Sequence, residues 1–171
     1  MRRIIGELGL VALVGLFALV SVAGADEEKV PLDKVPKAVM DAVKARFPDA
    51  KVMSAEKETD NGKTVYEIAI KNQEQNIEVT LTPDGKITEI EKQIAAKDLP
   101  KVVVTTLEAK YPKATYKMIE EVIKVDGKAE KLAYYEVLLE TAAKKKWEVA
   151  VTPEGKITKE EDKNKEKEDK K

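Results

Sequence analysis

The side chains that carry out most enzyme chemistry are scarce in this 171-residue chain. It contains no His and no Cys, so a Ser–His or Cys–His nucleophile pair cannot form, and zinc would lack nitrogen and sulfur ligands. After the first 25 residues the single serine is Ser54, which only a lysine could activate. Its surroundings are those of an ordinary strand residue. We therefore expect no catalytic residues and no enzyme activity.

Carboxylates are too common in the chain to mark a site by themselves. Asp and Glu account for 32 residues, so a carboxylate pair for glycoside hydrolysis is neither indicated nor excluded. Asp60-Asn61-Gly62 and Asp126-Gly127 resemble the start of a calcium loop, but neither continues with ligands at alternate positions and a closing Glu. We interpret both as hairpin turns. The sequence therefore predicts no metal site and no cofactor.

The elements that could position any functional residue occur twice along the chain. Tyr66-Glu67 matches Tyr135-Glu136, and Thr82–Thr88 (TPDGKIT) matches Thr152–Thr158 (TPEGKIT). Each copy begins with apolar residues at every fourth position, a pattern typical of one helix face. These residues are Val35, Val39, Val43 and Phe47 in the first copy, and Leu99, Val103, Leu107 and Tyr111 in the second.

The spacing predicts one helix and four strands in each copy. The first helix is expected from about Asp33 to Phe47, because Pro48 disfavours helical geometry at the residue before it. Strands are expected at Lys51–Glu58, Thr64–Lys71, Asn76–Thr82 and Lys86–Lys92. The second copy gains about five residues between Val122 and Leu132. Trp147 takes the place of Ile77, so we expect it to be buried against the second helix.

Alternation along the strands separates a core face from an opposite face. Tyr66, Ile68 and Ile70, with their counterparts in the second copy, are expected in the core. The opposite face carries Tyr134 and Leu138 among acidic residues, and we expect it to be uncovered. Exposed aromatics often anchor partners within a charged rim, so this face is a candidate interface. Its predicted binding residues are Glu67, Tyr134, Glu136, Leu138 and Glu148; the alternative is a solvated face with two incidental apolar residues.

Both ends of the chain have distinct compositions. Residues 1–25 have two arginines, an apolar run and Ala23-Gly24-Ala25, which is typical of a cleaved secretory signal peptide. The chain is therefore predicted to be exported, to the periplasm or outside the cell, and without Cys it cannot be a lipoprotein. Residues 162–171 are predicted to be a charged, disordered tail. The near balance of 31 basic and 32 acidic residues argues against nucleic acid as a partner.

The motifs resemble one known family. LDKVPKAVMDAVKARFPDAKV, followed by YEIAI and IEVTLTPDGKITEI, is similar to the PepSY-like, beta-lactamase-inhibitor-like domain, and KDLPKVVVTTLEAKYPKATY with YYEVLL and TPEGKIT resembles it again. The copies span residues 32–94 and 95–161. The resemblance implies an α+β fold of two tandem repeats, each one helix packed on a four-stranded antiparallel sheet. One joined, curved eight-stranded sheet and two separate sheets both fit the sequence.

The resemblance also implies a function in protein binding. In beta-lactamase inhibitor protein, a curved sheet holds an enzyme, and related PepSY domains restrain secreted peptidases. We therefore expect an exported, non-catalytic module that binds another exported protein through the open sheet face, as an inhibitor or regulator of an exported enzyme. The alternatives are a small-ligand-binding or envelope-sensing protein and a structural envelope protein. The sequence does not predict the oligomeric state.

Overall fold

The computed structural model describes residues 28–60 and 62–164, which form nine antiparallel β-strands and two α-helices. The predicted signal peptide lies outside these residues. The strands are β1 (Glu28–Lys29), β2 (Lys51–Asp60), β3 (Lys63–Asn72), β4 (Gln75–Leu81), β5 (Ile87–Gln93), β6 (Thr115–Asp126), β7 (Ala129–Glu140), β8 (Lys146–Val151) and β9 (Ile157–Asp162). The helices are α1 (Lys37–Arg46) and α2 (Lys101–Lys110). The fold is α+β, as predicted, with one strand more than the expected eight.

The additional strand is β1, which consists of two residues. Glu28 and Lys29 pair with Lys57 and Glu56 of β2. The backbone N–H of Val30 then donates to the carbonyl of Ala55 at 2.9 Å. Two residues are too few to show an alternating pattern, so this strand had no sequence signal.

The described residues divide into two compact units, each treated separately below. Unit 1 comprises residues 28–90 with Val125–Lys128, and unit 2 comprises Glu91–Lys124 with residues 129–164. Strand order follows the chain in each: β1 to β5 in unit 1, and β6 to β9 in unit 2. The last three residues of β5 belong to unit 2. The curvature expected of a joined sheet stays a prediction.

Both helices begin immediately after a proline. Pro36 and Pro100 are the N-caps of α1 and α2, with ψ of 137° and 140°. The expected start of the first helix near Asp33 is therefore wrong. Because proline disfavours helical geometry in the residue before it, Val35 is extended and Leu32–Lys34 forms only a 3-10 turn. The last helical residue is Arg46 and Phe47 is the C-cap, so the helix ends where the sequence predicted.

Apolar residues at the predicted spacing form the cores. Val39 and Val43 of α1 are almost fully buried, as are Val103 and Leu107 of α2. In unit 2 the helix residues share one apolar cluster with the strands: Leu99, Val103, Leu107, Ile119, Tyr135, Val137, Leu139, Val149 and Val151. Trp147 is only half-buried and packs at the edge of this cluster, its ring centroid 6.2 Å from that of Tyr111.

The repeated Pro-Asp/Glu-Gly turns lie directly against the helices. A Cβ on Gly85 would lie 2.6 Å from the backbone oxygen of Ala38 in α1. A Cβ on Gly155 would lie 2.7 Å from Cγ2 of Val102 in α2, and Thr106 donates a hydrogen bond to the Gly155 carbonyl at 2.9 Å. Both glycines also have φ near +85°. Each turn therefore needs glycine for its backbone angle and for close packing.

The last strand extends further than the sequence predicted. β9 runs to Asp162, and Lys163 and Asn164 donate to the carbonyl of Lys146 at 3.1 and 3.0 Å. The predicted disordered tail therefore starts too early, and residues 165–171 lie outside the described range. Within residues 28–60 and 62–164, neither helix has the length and apolarity needed to cross a bilayer.

Candidate functional site: the acidic face

One face of the strands in each unit carries acidic side chains. In unit 2, Tyr135, Val137 and Leu139 belong to the core that includes α2, so Tyr134, Glu136 and Leu138 alternate with them and point to the opposite side. Glu148 pairs with Leu138 across β7 and β8. In unit 1, Glu67 precedes the buried core residue Ile68 on β3, so its side chain also points to the side opposite the core. We call this side, opposite the face that bears the apolar core, the acidic face.

The acidic face is far less accessible than we expected. Exposed fractions are 4% for Glu67, 9% for Tyr134, 5% for Glu136 and 2% for Glu148, while Leu138 is half-buried. Side chains opposite one another on neighbouring antiparallel strands are about 5 Å apart, so long side chains shield each other. The expectation of an uncovered face with an exposed Tyr134 was therefore wrong. The binding role of these five residues stays a prediction.

The buried polar side chains of the described residues are all acidic. Nine side chains make up the buried polar residues of the described chain, and all are glutamates: Glu56, Glu58, Glu67, Glu78, Glu89, Glu91, Glu120, Glu136 and Glu148. Buried carboxyls normally need a proton, a cation or hydrogen-bond donors, because removing a carboxylate from water is costly. The pKa values and partners of these residues therefore determine what the face can do.

In unit 2, three of these glutamates converge. Glu91 of β5, Glu120 of β6 and Glu136 of β7 each offer a carboxylate oxygen, and the three oxygens lie within 4.8 Å of one another. We call this group the carboxylate triad. Burial, with Glu148 and Glu120 nearby, raises the pKa of Glu136 to about 8. Burial and Glu148 raise the pKa of Glu120 to about 7. Burial therefore favours the protonated form of Glu120 and Glu136 near neutral pH.

Lysines balance the glutamate next to the triad. Lys163 Nζ lies 3.2 Å from Glu148 Oε2, and Lys159 Nζ lies 3.8 Å from Glu148 Oε1. Lys163 also pairs with Glu161 at 2.6 Å. Burial still raises the pKa of Glu148, although Lys163 opposes the shift. The lysines come from β9 and the residue after it, the segment that was partly assigned to a tail.

Unit 1 has its own group of acids with a different arrangement. Glu67 lies directly opposite Glu56 in the β2–β3 register, and its carboxyl group shares a hydrogen bond with Glu78. Burial, followed by Glu78, Glu58 and Glu56, raises the pKa of Glu67 well above its ordinary value. Burial also raises the pKa of Glu56, against the opposing charge of Lys29. A hydrogen bond between two carboxyl groups requires that one of them carries a proton.

The other chemically interesting motifs form ordinary structure. Ser54 is half-buried in β2 opposite Ala69. Asp126 ends β6 and pairs with Lys86 at 3.2 Å, and Gly127 follows with φ of 61°. Asn61 of the other turn lies outside the described residues. A cavity of about 330 Å³ at the edge of β2 is lined mainly by apolar residues such as Val30, Leu32 and Met53.

Two α+β units, each with one helix and an acid-rich sheet face, define a tandem-repeat module. The family model described as "Putative beta-lactamase-inhibitor-like, PepSY-like" matches the chain twice, over residues 23–89 and 75–159. The chain belongs to this family, so the predicted resemblance is confirmed. No curated protein matches the chain significantly.

Solved structures share the fold at low sequence identity. A protein from Bacteroides eggerthii described as a "putative periplasmic" protein is 15% identical with a TM-score of 0.62, covering 75% of this chain and 88% of its own. A BLIP-like protein from Bacteroides fragilis is 18% identical with a TM-score of 0.55, covering 74% and 85%. These similarities establish the fold.

Proposed function

We propose that this chain is an exported, non-catalytic module that binds a basic surface of another exported protein through its acidic face, and that binding inhibits or regulates an exported enzyme. The observation that carries the proposal is the set of nine buried glutamates of one charge sign. Those glutamates that are ionised project a negative potential toward solvent, which attracts cationic surfaces. The inhibitor-like family description and the BLIP-like neighbour are consistent with this function.

The burial of the face changes how such a partner would be held. Tyr134, Glu136 and Glu148 are too buried to supply much contact area, so the two glutamates act as an acidic layer below the contact surface. Leu138 is half-buried, and it is the predicted binding residue most accessible to a partner. The partner's basic groups would then gain from the field of the glutamates, and its apolar groups from contact with Leu138.

Capture from an exported-protein fraction tests the proposal, with immobilised residues 26–171 as bait. Leu138→Ala should reduce capture, whereas Val102→Ala is a matched control, because Val102 is 45% exposed on α2. Capture should also weaken as salt rises from about 0.05 to about 0.5 M, since screening shortens the range of surface electrostatics. Equal capture by both variants, or capture that is insensitive to salt, would reject the acidic face as the contact surface.

A second candidate function is the binding of a small ligand, which the carboxylate triad favours over a purely structural role. Such a ligand would have to be a cation, because three buried carboxyls within 4.8 Å disfavour any anion.

A further inference from the structure

We propose that the acidic face of unit 1 binds a primary ammonium group, the group that ends a lysine side chain, at Glu56 and Glu67. The inference rests on the proposed function, for which it specifies the chemical group that the acidic face receives and the place that receives it. Both glutamates belong to unit 1. We call this place the ammonium site.

The second copy shows which group a buried glutamate of this face holds. Glu148 is 2% exposed, and two lysine ammonium groups of unit 2 lie beside it. Lys163 Nζ is 3.2 Å from Glu148 Oε2, and Lys159 Nζ is 3.8 Å from Glu148 Oε1. The face therefore accommodates a primary ammonium in unit 2, where the chain itself supplies it.

The first copy has no lysine at either of the corresponding positions. The displacement that aligns Thr82–Thr88 with Thr152–Thr158 also pairs Glu78 with Glu148, Glu89 with Lys159 and Gln93 with Lys163. An acid and an amide thus stand in the first copy where the second copy has its two lysines. An ammonium group that serves the first copy in the same way would have to come from another molecule.

Two buried oxygens of the ammonium site lack a donor. Glu56 and Glu67 lie opposite each other in the β2–β3 register, and each is 4% exposed. In the described part of the chain, Glu56 Oε2 and Glu67 Oε1 accept no hydrogen bond and are shielded from water. A buried acceptor without a donor is costly, so a donor that reaches both oxygens would remove that cost.

The size of an ammonium group suits this pair. Side chains opposite one another on antiparallel strands are about 5 Å apart. An ammonium has three N–H donors, and each lies about 2.7–2.9 Å from a carboxylate oxygen, so one nitrogen can bridge two such oxygens. Among the described residues of unit 1, no three acidic side chains converge closely enough to hold a metal ion.

The position of Glu56 gives an incoming lysine a route to the site. Glu56 is separated from the end of the strand order only by β1, which has two residues. Lys29 of β1 lies opposite Glu56, and its charge opposes the rise in the pKa of Glu56 that burial causes. Lys29 is exposed, whereas the side chain of Lys163 is 13% exposed at Glu148. A lysine from a partner can therefore approach along this edge.

NMR titration of residues 26–171 with N-acetyl-lysine methylamide, at pH 7 and constant ionic strength, tests the proposal. We expect saturable shifts of the Glu56 and Glu67 amide signals, with a Kd between about 0.1 and 10 mM for so small a ligand. The same probe with a trimethylated ammonium keeps its charge but has no N–H donor, so it should bind about tenfold more weakly or less. A titration with 1,5-diaminopentane compares a free amine with the lysine probe: tighter binding of the lysine probe supports a protein lysine, and tighter binding of the diamine would overturn that source.

Glutamine variants locate the site. Glu56→Gln and Glu67→Gln each keep the size of the side chain and remove its charge, so each should weaken binding of the lysine probe by about tenfold or more. Glu154→Gln removes the same charge from an exposed turn and should leave binding unchanged. Melting curves of each variant confirm that a loss of binding is not a loss of folding.

Three results would overturn the ammonium site. They are no saturable shift up to about 50 mM lysine probe, equal binding of the trimethylated probe, and undiminished binding in both Glu56→Gln and Glu67→Gln. A negative titration together with salt-sensitive capture would reject this site and leave the proposed function standing. Probe binding without any captured protein would instead reject the protein partner and leave the site standing.

Discussion

Replacing Glu67 with glutamine should make the protein more stable at neutral and alkaline pH. Glu67 is 4% exposed, faces Glu56 across β2 and β3, and shares a hydrogen bond with Glu78. An amide at this position can still donate to the Glu78 carboxylate, but it cannot ionise. The substitution therefore removes the cost of a buried negative charge next to other glutamates while keeping the side chain's shape.

The sign of the pH dependence follows from the direction of the pKa shift. The pKa of Glu67 is raised above its ordinary value of 4.5 in the folded state, so above pH 4.5 the folded protein holds a proton that the unfolded chain has released. Stability then falls as pH rises from 4.5 through the folded-state pKa. Above that pKa the penalty is fully present, and in the glutamine variant it is absent.

Burying a polar group whose hydrogen bonds to water are not fully replaced costs roughly 1–3 kcal/mol of folding free energy. A pKa shift of one unit corresponds to about 1.4 kcal/mol. We therefore expect Glu67→Gln to increase the free energy of unfolding by about 1–3 kcal/mol at pH 8 and by much less at pH 5. Urea denaturation at pH 5 and at pH 8, with EDTA present, measures the free energy of unfolding of the variant and of the wild type. Glu154→Gln, at an exposed turn position, is the matched control. A Glu67→Gln variant that is destabilised, or equally affected at both pH values, would refute this reasoning.

Two further substitutions test the packing around the site. Gly85→Ala should lower the free energy of unfolding by at least about 3 kcal/mol, because its Cβ would lie 2.6 Å from the Ala38 oxygen and φ is +86°. Gly127→Ala is the control: its φ is +61°, but a Cβ there would meet nothing within 4 Å. Gly127→Ala should therefore cost only about 1–2 kcal/mol. Equal losses in thermal melts would argue against close packing of the turn on α1. Lys163→Met should destabilise the protein by roughly 1–3 kcal/mol at pH 7, because it leaves Glu148 short of a cation. Adding Glu148→Gln to it should restore most of that loss in a double-mutant cycle, and strictly additive losses would contradict the pairing.

The sequence predicted the features that repeat with a clear period. The apolar residues of α1 and α2 recur at every fourth position, and the TPDGKIT and TPEGKIT turns require glycine, so the helices and the later hairpins could be read directly. The start of α1 was misplaced because Asp33 has N-cap chemistry, whereas Pro36 controls the local backbone. Strand β1 has too few residues to carry any pattern.

The acidic face could be located from the alternation of residues, but its accessibility could not. Alternation assigns Glu136 and Tyr134 to one side of a strand, yet the extent of their burial depends on long side chains from neighbouring strands. The carboxylate triad was missed entirely. Glu91, Glu120 and Glu136 come from three strands separated along the chain, and only the pairing of those strands brings their oxygens together.

The most direct test of the acidic face as a binding surface is photo-crosslinking from single positions. A photoreactive residue at position 138 of the full mature chain, within an exported-protein mixture, should yield an adduct with one exported protein, and excess unlabelled chain should compete it away. The same residue at position 102, on α2, should yield none. Adducts at position 102 with none at position 138 would contradict the account.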